Sequence, residues 1–157
     1  MLEPEYTLIH RFLTPEDITK FLQYIDMLVE SDYQPGRLGS GYEKVNIKAW
    51  TDDFFEMIKE RARRTITSKP IKTWDAWLIC MPDSSWINPH VDICSGEHHR
   101  LNACIQSSDR GGAFSIEGQQ VVIPPGCAIV FRPDLMRHEV SMAVGKPRWM
   151  LSVGVAV

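Results

Sequence analysis

Two histidines, an aspartate and an arginine carry the chemistry that can be read from this sequence. In Pro89-His90-Val91-Asp92 an imidazole and a carboxylate stand two residues apart. On an extended strand the side chains at i and i+2 point to the same side, so His90 and Asp92 would converge on one point. Adding His138 gives two histidines and one carboxylate, the facial donor set that holds a non-haem iron(II) ion and leaves positions open on it. Arg148 follows ten residues later. Its permanent charge and forked geometry suit a second carboxylate.

Alone, His-x-Asp is a weak signal. The chain has five histidines in 157 residues, and roughly one random chain of this composition in three would contain such a pair by accident. A surface turn after Pro89 accounts for it equally well. The elements around the motif have to decide.

The length fits one domain, 1–157, able to bury a core without staples. A net charge of -3 argues against a chain whose main business is gripping nucleic acid over a broad surface. A local basic groove stays open. No apolar run approaches the roughly 20 residues that cross a bilayer. Met1 to Thr7 carries no basic-then-apolar signal pattern, so the expected location is the cytoplasm. Cys80, Cys94, Cys104 and Cys127 form no C-x-x-C pair and read as reduced small hydrophobes. Cys94, two residues past Asp92, could touch the site as filler.

Residues 6–13 read as a first strand that contains His10 as a structural histidine. Thr14-Pro15-Glu16-Asp17 then reads as an N-cap, a proline at N1 and acids in a first turn. The helix that follows carries Ile18, Phe21, Leu22, Ile25, Leu28 and Val29 as one stripe. Residues 32–41 are rich in turn formers and are expected to be a loop, either a lid or a connector. A short strand over 42–49 is followed by a helix opened by Thr51-Asp52-Asp53, with Phe54, Phe55, Ile58, Ala62 and Ile66 on one side. Lys59, Arg61, Arg63, Arg64, Lys69 and Lys72 gather toward its end. They are expected to form a solvated face favoured by the helix dipole, and a phosphate patch is the competing reading.

From Lys72 the apolar period changes from 3.6 to 2. Eight short stretches follow, 74–81, 86–91, 100–107, 113–116, 119–123, 127–132, 137–143 and 148–157, punctuated by turn residues. The pattern predicts a mainly β fold with N-terminal helices and a jelly-roll core of two antiparallel sheets. The helices are expected to pack on one sheet. Residues 1–73 would be the helical support and 74–157 the catalytic core.

Alternation then separates strand faces. Trp149, Leu151, Val153 and Val155 form an apolar side of the last strand, opposite Arg148, Met150, Ser152 and Gly154. Leu101, Ala103 and Ile105 do the same against Arg100, Asn102, Cys104 and Gln106. The apolar faces suit the helices, and the polar faces need partners. In 137–143, His138, Val140 and Met142 share a side, with Glu139 and Ser141 turned to water.

The segments NPHVD, RLNACIQ, GGAFSIEG, PPGCAIVFRPDLMRHEV and GKPRWMLSVGV, in that order, resemble the catalytic core of the 2-oxoglutarate- and iron(II)-dependent oxygenases, in the broad group that includes the prolyl hydroxylases. The likeness covers residue 74 to the end; the part before it carries no recognised motif. It implies the double-stranded β-helix form of the jelly roll. It also implies that His90, Asp92 and His138 bind Fe(II) and that Arg148 receives the distal carboxylate of the cosubstrate 2-oxoglutarate. Asn102, with Arg100 and Ser152 behind it, is the next candidate for a contact to that cosubstrate. The sequence departs from the prolyl hydroxylase pattern ahead of His-x-Asp, where Met81 and Trp86 stand in place of tyrosines.

The function expected from the resemblance is a dioxygenase that uses O2 to hydroxylate an unactivated C–H bond of an amino-acid, peptide or protein substrate, forming succinate and CO2. Two alternatives remain open. One is oxidation of a nucleic-acid base, supported only by the basic residues at 59–72. The other is a cupin-like metal-binding protein that does not use 2-oxoglutarate. His98 and His99 read as solvated loop histidines, and Trp86 as a rim residue or a substrate-stacking platform. Oligomeric state is not legible.

Overall fold

The computed structural model describes residues 5–157, so the first four residues of the Met1–Thr7 reading lie outside it. The chain begins with β1 (Tyr6–Ile9) and α1 (Pro15–Asp26), then a single 3-10 turn, β2 (Tyr33–Pro35), β3 (Gly39–Ser40), β4 (Glu43–Asn46) and α2 (Asp53–Ile66). β5 (Thr73–Met81), β6 (Trp86–His90), β7 (His98–Gln106), β8 (Arg110–Gly111), β9 (Phe114–Ile116) and β10 (Gln119–Val121) follow. β11 (Ala128–Phe131), β12 (His138–Val140), β13 (Ala143–Val144) and β14 (Arg148–Ala156) complete it. Among the described residues no helix is long and apolar enough to cross a membrane.

Local chemistry explains the helix starts. Asp17 N–H donates to Thr14 Oγ1 and Thr14 N–H donates to an Asp17 carboxylate oxygen, 3.1 and 3.0 Å, closing a capping box ahead of Pro15. The helix stops at Asp26, so Leu28 and Val29 lie past its end. α2 carries Phe54, Phe55, Ile58 and Ala62 as its buried side.

All strand pairs are antiparallel. The larger sheet runs β1-β11-β7-β14-β5-β4-β2, the smaller β10-β9-β12-β6-β3, with β13 and β8 forming a separate ribbon. Both helices cover the larger sheet, α2 against β14 and β7 and α1 against β7. Phe21, Phe55, Ile58, Leu78, Leu101, Leu151 and Val153 fill that layer. Each fully buried side chain of this size stabilises the fold by about 1.5–3 kcal/mol. A second cluster built on Met81, Phe114, Ile116, Ile129, Phe131 and Val140 lies between the sheets. The result is a mainly β, jelly-roll-like architecture with its helices on one sheet.

The structure corrects several boundaries. β1 ends at Ile9, because Arg11 takes a positive φ of 58° and turns the chain, leaving His10 exposed outside the strand. The 32–41 stretch is no plain loop: β2 joins the larger sheet beside β4 and β3 joins the smaller beside β6. Gly39 permits that second pairing, since a Cβ there would meet the Trp86 carbonyl. The 137–143 stretch is two strands, because β13 leaves the smaller sheet to pair with β8. Met142, between them, is exposed and does not share a face with His138.

Candidate metal and anion site

Cross-strand register brings the two histidines together. His138 on β12 stands directly opposite His90 on β6, and opposed residues of an antiparallel pair hold their Cβ atoms about 5 Å apart. Their ring centroids lie 4.2 Å apart. Each imidazole is oriented from behind: Nδ1 of His90 bonds the Asn88 carbonyl at 2.7 Å and Nδ1 of His138 the Met136 carbonyl at 2.9 Å. A backbone acceptor at Nδ1 fixes the tautomer and leaves Nε2 free to act as a donor atom for a metal.

Asp92 arrives by a different route from the one the spacing suggested. β6 ends at His90, so Asp92 lies in the following loop, tied down by its N–H donating to the Pro133 carbonyl at 2.8 Å. Its Oδ1 stands 3.3 Å from His90 Nε2 and 3.7 Å from His138 Nε2. Donors bound at right angles about 2.1 Å from one ion stand about 3 Å apart. The three side chains therefore fit a single ion with little movement, and all three donor atoms lie within 4.8 Å of one another.

The three groups are electrostatically unequal. Burial raises the Asp92 carboxyl, but the hydrogen bond to His90 and the nearby Arg100 and His138 outweigh it and hold the group below the usual range. Burial pulls His90 down, and its bonds to Asp92 and to the Asn88 carbonyl carry it above the ordinary value. His138, walled by Phe131 and Phe114, is lowered chiefly by burial.

These groups border a cavity of about 160 Å³ between the sheets. β14 contributes Arg148, Met150 and Ser152 to its wall, β7 Arg100 and Asn102, β5 Trp77 and Ile79, β4 Lys44, and the residue before β4, Tyr42. Arg148 is 5% exposed and has no carboxylate within ion-pair distance among the described residues. Its Nη1 reaches only the Met81 sulfur, at 3.7 Å. Burial drags its pKa down to about 10, a sign of how poorly the protein alone solvates this charge.

The other three candidates form one network on the same wall. Ser152 Oγ donates to Asn102 Oδ1 at 2.7 Å and receives from Arg100 Nη1 at 3.0 Å. Arg100 is gripped by Asp75 through both terminal nitrogens, at 2.9 and 3.0 Å, and its Nε lies 3.7 Å from Asp92 Oδ2. Gly154 makes the fork possible, since a Cβ there would sit 2.6 Å from Arg100 Nη2.

Sequence reading missed Asp75, Tyr42 and Lys44. Asp75 shares a strand face with Trp77, Ile79 and Met81, and the alternation of β5 would have marked it. Tyr42, whose hydroxyl receives the Leu38 N–H at 3.0 Å, enters from the turn just before β4 and supplies a phenol that the stretch before His90 lacks. Two expectations fail here, and of the two readings of Trp86 the rim residue is the one left. His98 and His99 stand on β7 rather than in a loop, His98 buried beside Arg100 and His99 paired with Glu97 at 2.7 Å. Trp86 does not line the cavity; its indole N–H donates to Asn88. Cys94, the exposed one of four free cysteines, does not line it either and approaches only the main-chain oxygen of Asp92.

The basic residues are largely engaged as well. Lys59 is fully buried and donates to the carbonyls of Ile47, Lys48 and Trp50. Arg61 pairs with Asp17, Arg64 with Glu60 and Lys69 with Glu97.

No family model and no curated protein matches this sequence. Solved structures do. A prolyl-4-hydroxylase of Pseudomonas putida superposes with a TM-score of 0.75 at 12% identity, over 98% of this chain and 92% of that one. The fold is that of the 2-oxoglutarate- and iron(II)-dependent oxygenases. The collagen prolyl hydroxylase of Paramecium Bursaria Chlorella virus-1, a 2-oxoglutarate complex, gives 0.74 at 13% identity, over 97% and 96%. HygX of Streptomyces hygroscopicus, with nickel and 2-oxoglutarate bound, gives 0.76 at 10% identity, over 98% and 83%.

Proposed function

We propose that this chain is a 2-oxoglutarate- and iron(II)-dependent dioxygenase, one catalytic domain whose jelly roll is the double-stranded β-helix of that superfamily. The observation that carries the reading is Arg148: a buried guanidinium without a carboxylate partner among the described residues, in the same cavity as a His-Asp-His donor set. A five-carbon diacid meets both needs at once. Its 2-oxo acid end suits the open positions of an ion held by His90, Asp92 and His138, and its far carboxylate suits the fork of Arg148. Asn102 stands next in line for the metal-bound end, with Arg100 and Ser152 behind it.

Bound iron and 2-oxo acid would supply the oxidising chemistry, with succinate and CO2 as co-products of hydroxylation. The protein's own part is to bind, orient and keep dry. The Asn88 and Met136 carbonyls at Nδ1 turn Nε2 of each imidazole toward the donor cluster, Arg100 helps keep Asp92 ionised, and Phe114 and Phe131 wall His138 against water. No side chain is needed as a general base. The substrate class is an amino acid, a peptide or a small molecule. The nucleobase alternative is weakened, because Lys59 and Arg61 are turned into the fold and only Arg64, Lys69 and Lys72 are left on the exposed face.

Succinate release and a +16 product, followed by mass spectrometry against panels of amino acids, peptides and oligonucleotides, test this. Asp92→Ala or His138→Ala is expected to abolish succinate formation. Unchanged turnover in both variants would end the assignment.

A further inference from the structure

Three side-chain cations border the cavity, and the fold has answered one of them. Arg100 is matched by Asp75 and Asp92. Arg148 is answered in the reading above by the cosubstrate. Lys44 is left. It comes from β4, opposite Ile79 of β5, and lies half-buried in the cavity wall. Among the described residues its ammonium makes no ion pair and no hydrogen bond; it rests on the face of Trp77, 4.2 Å from the ring centroid.

Its place on the sheet sets it apart from Arg148. Arg148 pairs in register with Met81, whereas Lys44 pairs with Ile79, itself opposite Met150, about 7 Å along the strands at 3.3 Å per residue and two strands across the sheet. Ile79 and Met150 line the cavity at the level of Lys44, and its ammonium reaches on to Trp77, which pairs with Ser152. The exposed Arg37, also without an ion pair among the described residues, adds its field to Lys44 from the segment that carries the cavity residue Leu38.

We propose that Lys44, seated on Trp77, is the anchor for an oxyanion of the primary substrate, so that the molecule oxidised here carries a carboxylate or phosphate group. This rests on the oxygenase reading and deepens it: one cavity would hold two anions, the diacid at Arg148 and the substrate's oxyanion at Lys44. An ammonium held against an aromatic face in a partly dry cavity keeps its charge at a cost that an anionic ligand offsets. Burial, the largest effect, and the fields of Arg100 and Arg37 push the Lys44 amine below its ordinary value against the opposing fields of Asp75 and Asp92. Trp77 under that ammonium offers the apolar wall against which the rest of the substrate can lie.

The test uses the full chain with Fe(II), kept anaerobic and saturated with 2-oxoglutarate so that Arg148 is occupied. Probes are N-acetyl amino acids beside their carboxamides, and phosphate monoesters beside their parent alcohols, with tryptophan fluorescence as the readout. At least one oxyanion series is expected to bind saturably and about tenfold or more tighter than its neutral counterparts. Lys44→Met should erase that preference and Lys44→Arg should keep it, with the iron–2-oxoglutarate absorption recorded in each variant as the check on the site. The better series tells carboxylate from phosphate. Equal binding of charged and neutral probes, no binding by any probe, or a preference that survives Lys44→Met overturns the proposal. A Lys44-dependent preference without any iron–2-oxoglutarate absorption would instead overturn the oxygenase reading and leave an anion site.

Discussion

Arg100 sets its Nε 3.7 Å from Oδ2 of Asp92, while Oδ1 of the same carboxylate faces the two imidazoles. The two oxygens thus have separate tasks, one aimed at the donor cluster and one drawn toward a guanidinium that Asp75 holds still. A carboxylate divided in this way is suited to giving an ion one bond rather than two, which leaves a position free. Asp75→Asn is therefore expected to weaken divalent metal binding roughly ten- to a hundredfold. Titration with Co(II), followed by its visible bands, measures it. Unchanged affinity would reduce the Asp75–Arg100 pair to a wall contact.

Arg148 should be as demanding for the cosubstrate as the donor set is for the metal. Replacing it with methionine is expected to leave Fe(II) binding near wild type and to weaken 2-oxoglutarate by about 2–5 kcal/mol. Arg148→Lys should recover part of the loss, because an ammonium supplies the charge without the fork. Isothermal titration with 2-oxoglutarate at saturating Fe(II) separates the three proteins.

Lys59 was expected on a solvated face, yet its ammonium lies inside the fold and binds three carbonyls of the 47–50 turn, with Glu56 at 3.0 Å. Lys59→Met should destabilise the protein by about 3 kcal/mol or more, since buried carbonyls would lose a charged donor. Denaturant melts measure it. The exposed Arg64→Met, which loses one surface pair, is expected to cost under about 1 kcal/mol.

Asp17 links α1 to α2 through Arg61 at 2.8 Å while closing the capping box. Burial raises its carboxyl, but the bonds from Arg61 and Thr14 outweigh it and leave the group below its ordinary value. A depressed carboxylate stabilises the fold above its unfolded pKa and loses that contribution as pH falls through its folded value. Asp17→Ala should cost about 1–2 kcal/mol near neutral pH. That difference should shrink below about pH 4. Melting curves of both proteins between pH 7 and 2.5 check the sign.

Much of this was legible because strand alternation and helix capping are local. Thr14, Pro15 and Asp17 mark the start of α1, and the parity of β14 sends Leu151 and Val153 under the helices while Arg148, Met150 and Ser152 line the cavity. Asp92 shows where locality ends. The spacing rule put it near His90 by assuming a strand that stops two residues earlier, and its position depends on the Pro133 carbonyl, forty residues away in sequence. Lys44 was missed for a similar reason, since it matters through Trp77 on another strand; Asp75 could have been marked by the alternation of β5, but its partner Arg100 lies on β7. Lys59 carried the opposite error, because composition counts charges without counting the carbonyls that meet them, whereas Arg64 lies on the solvated face expected of it.

The most direct measurement is the visible absorption of the purified protein on anaerobic addition of Fe(II) and then 2-oxoglutarate. A charge-transfer band that appears only when both are present, is lost in His138→Ala and Asp92→Ala, and needs far more 2-oxoglutarate in Arg148→Met is the predicted result. The absence of any band in the wild-type protein, or an equal band in the His138→Ala variant, would contradict the account.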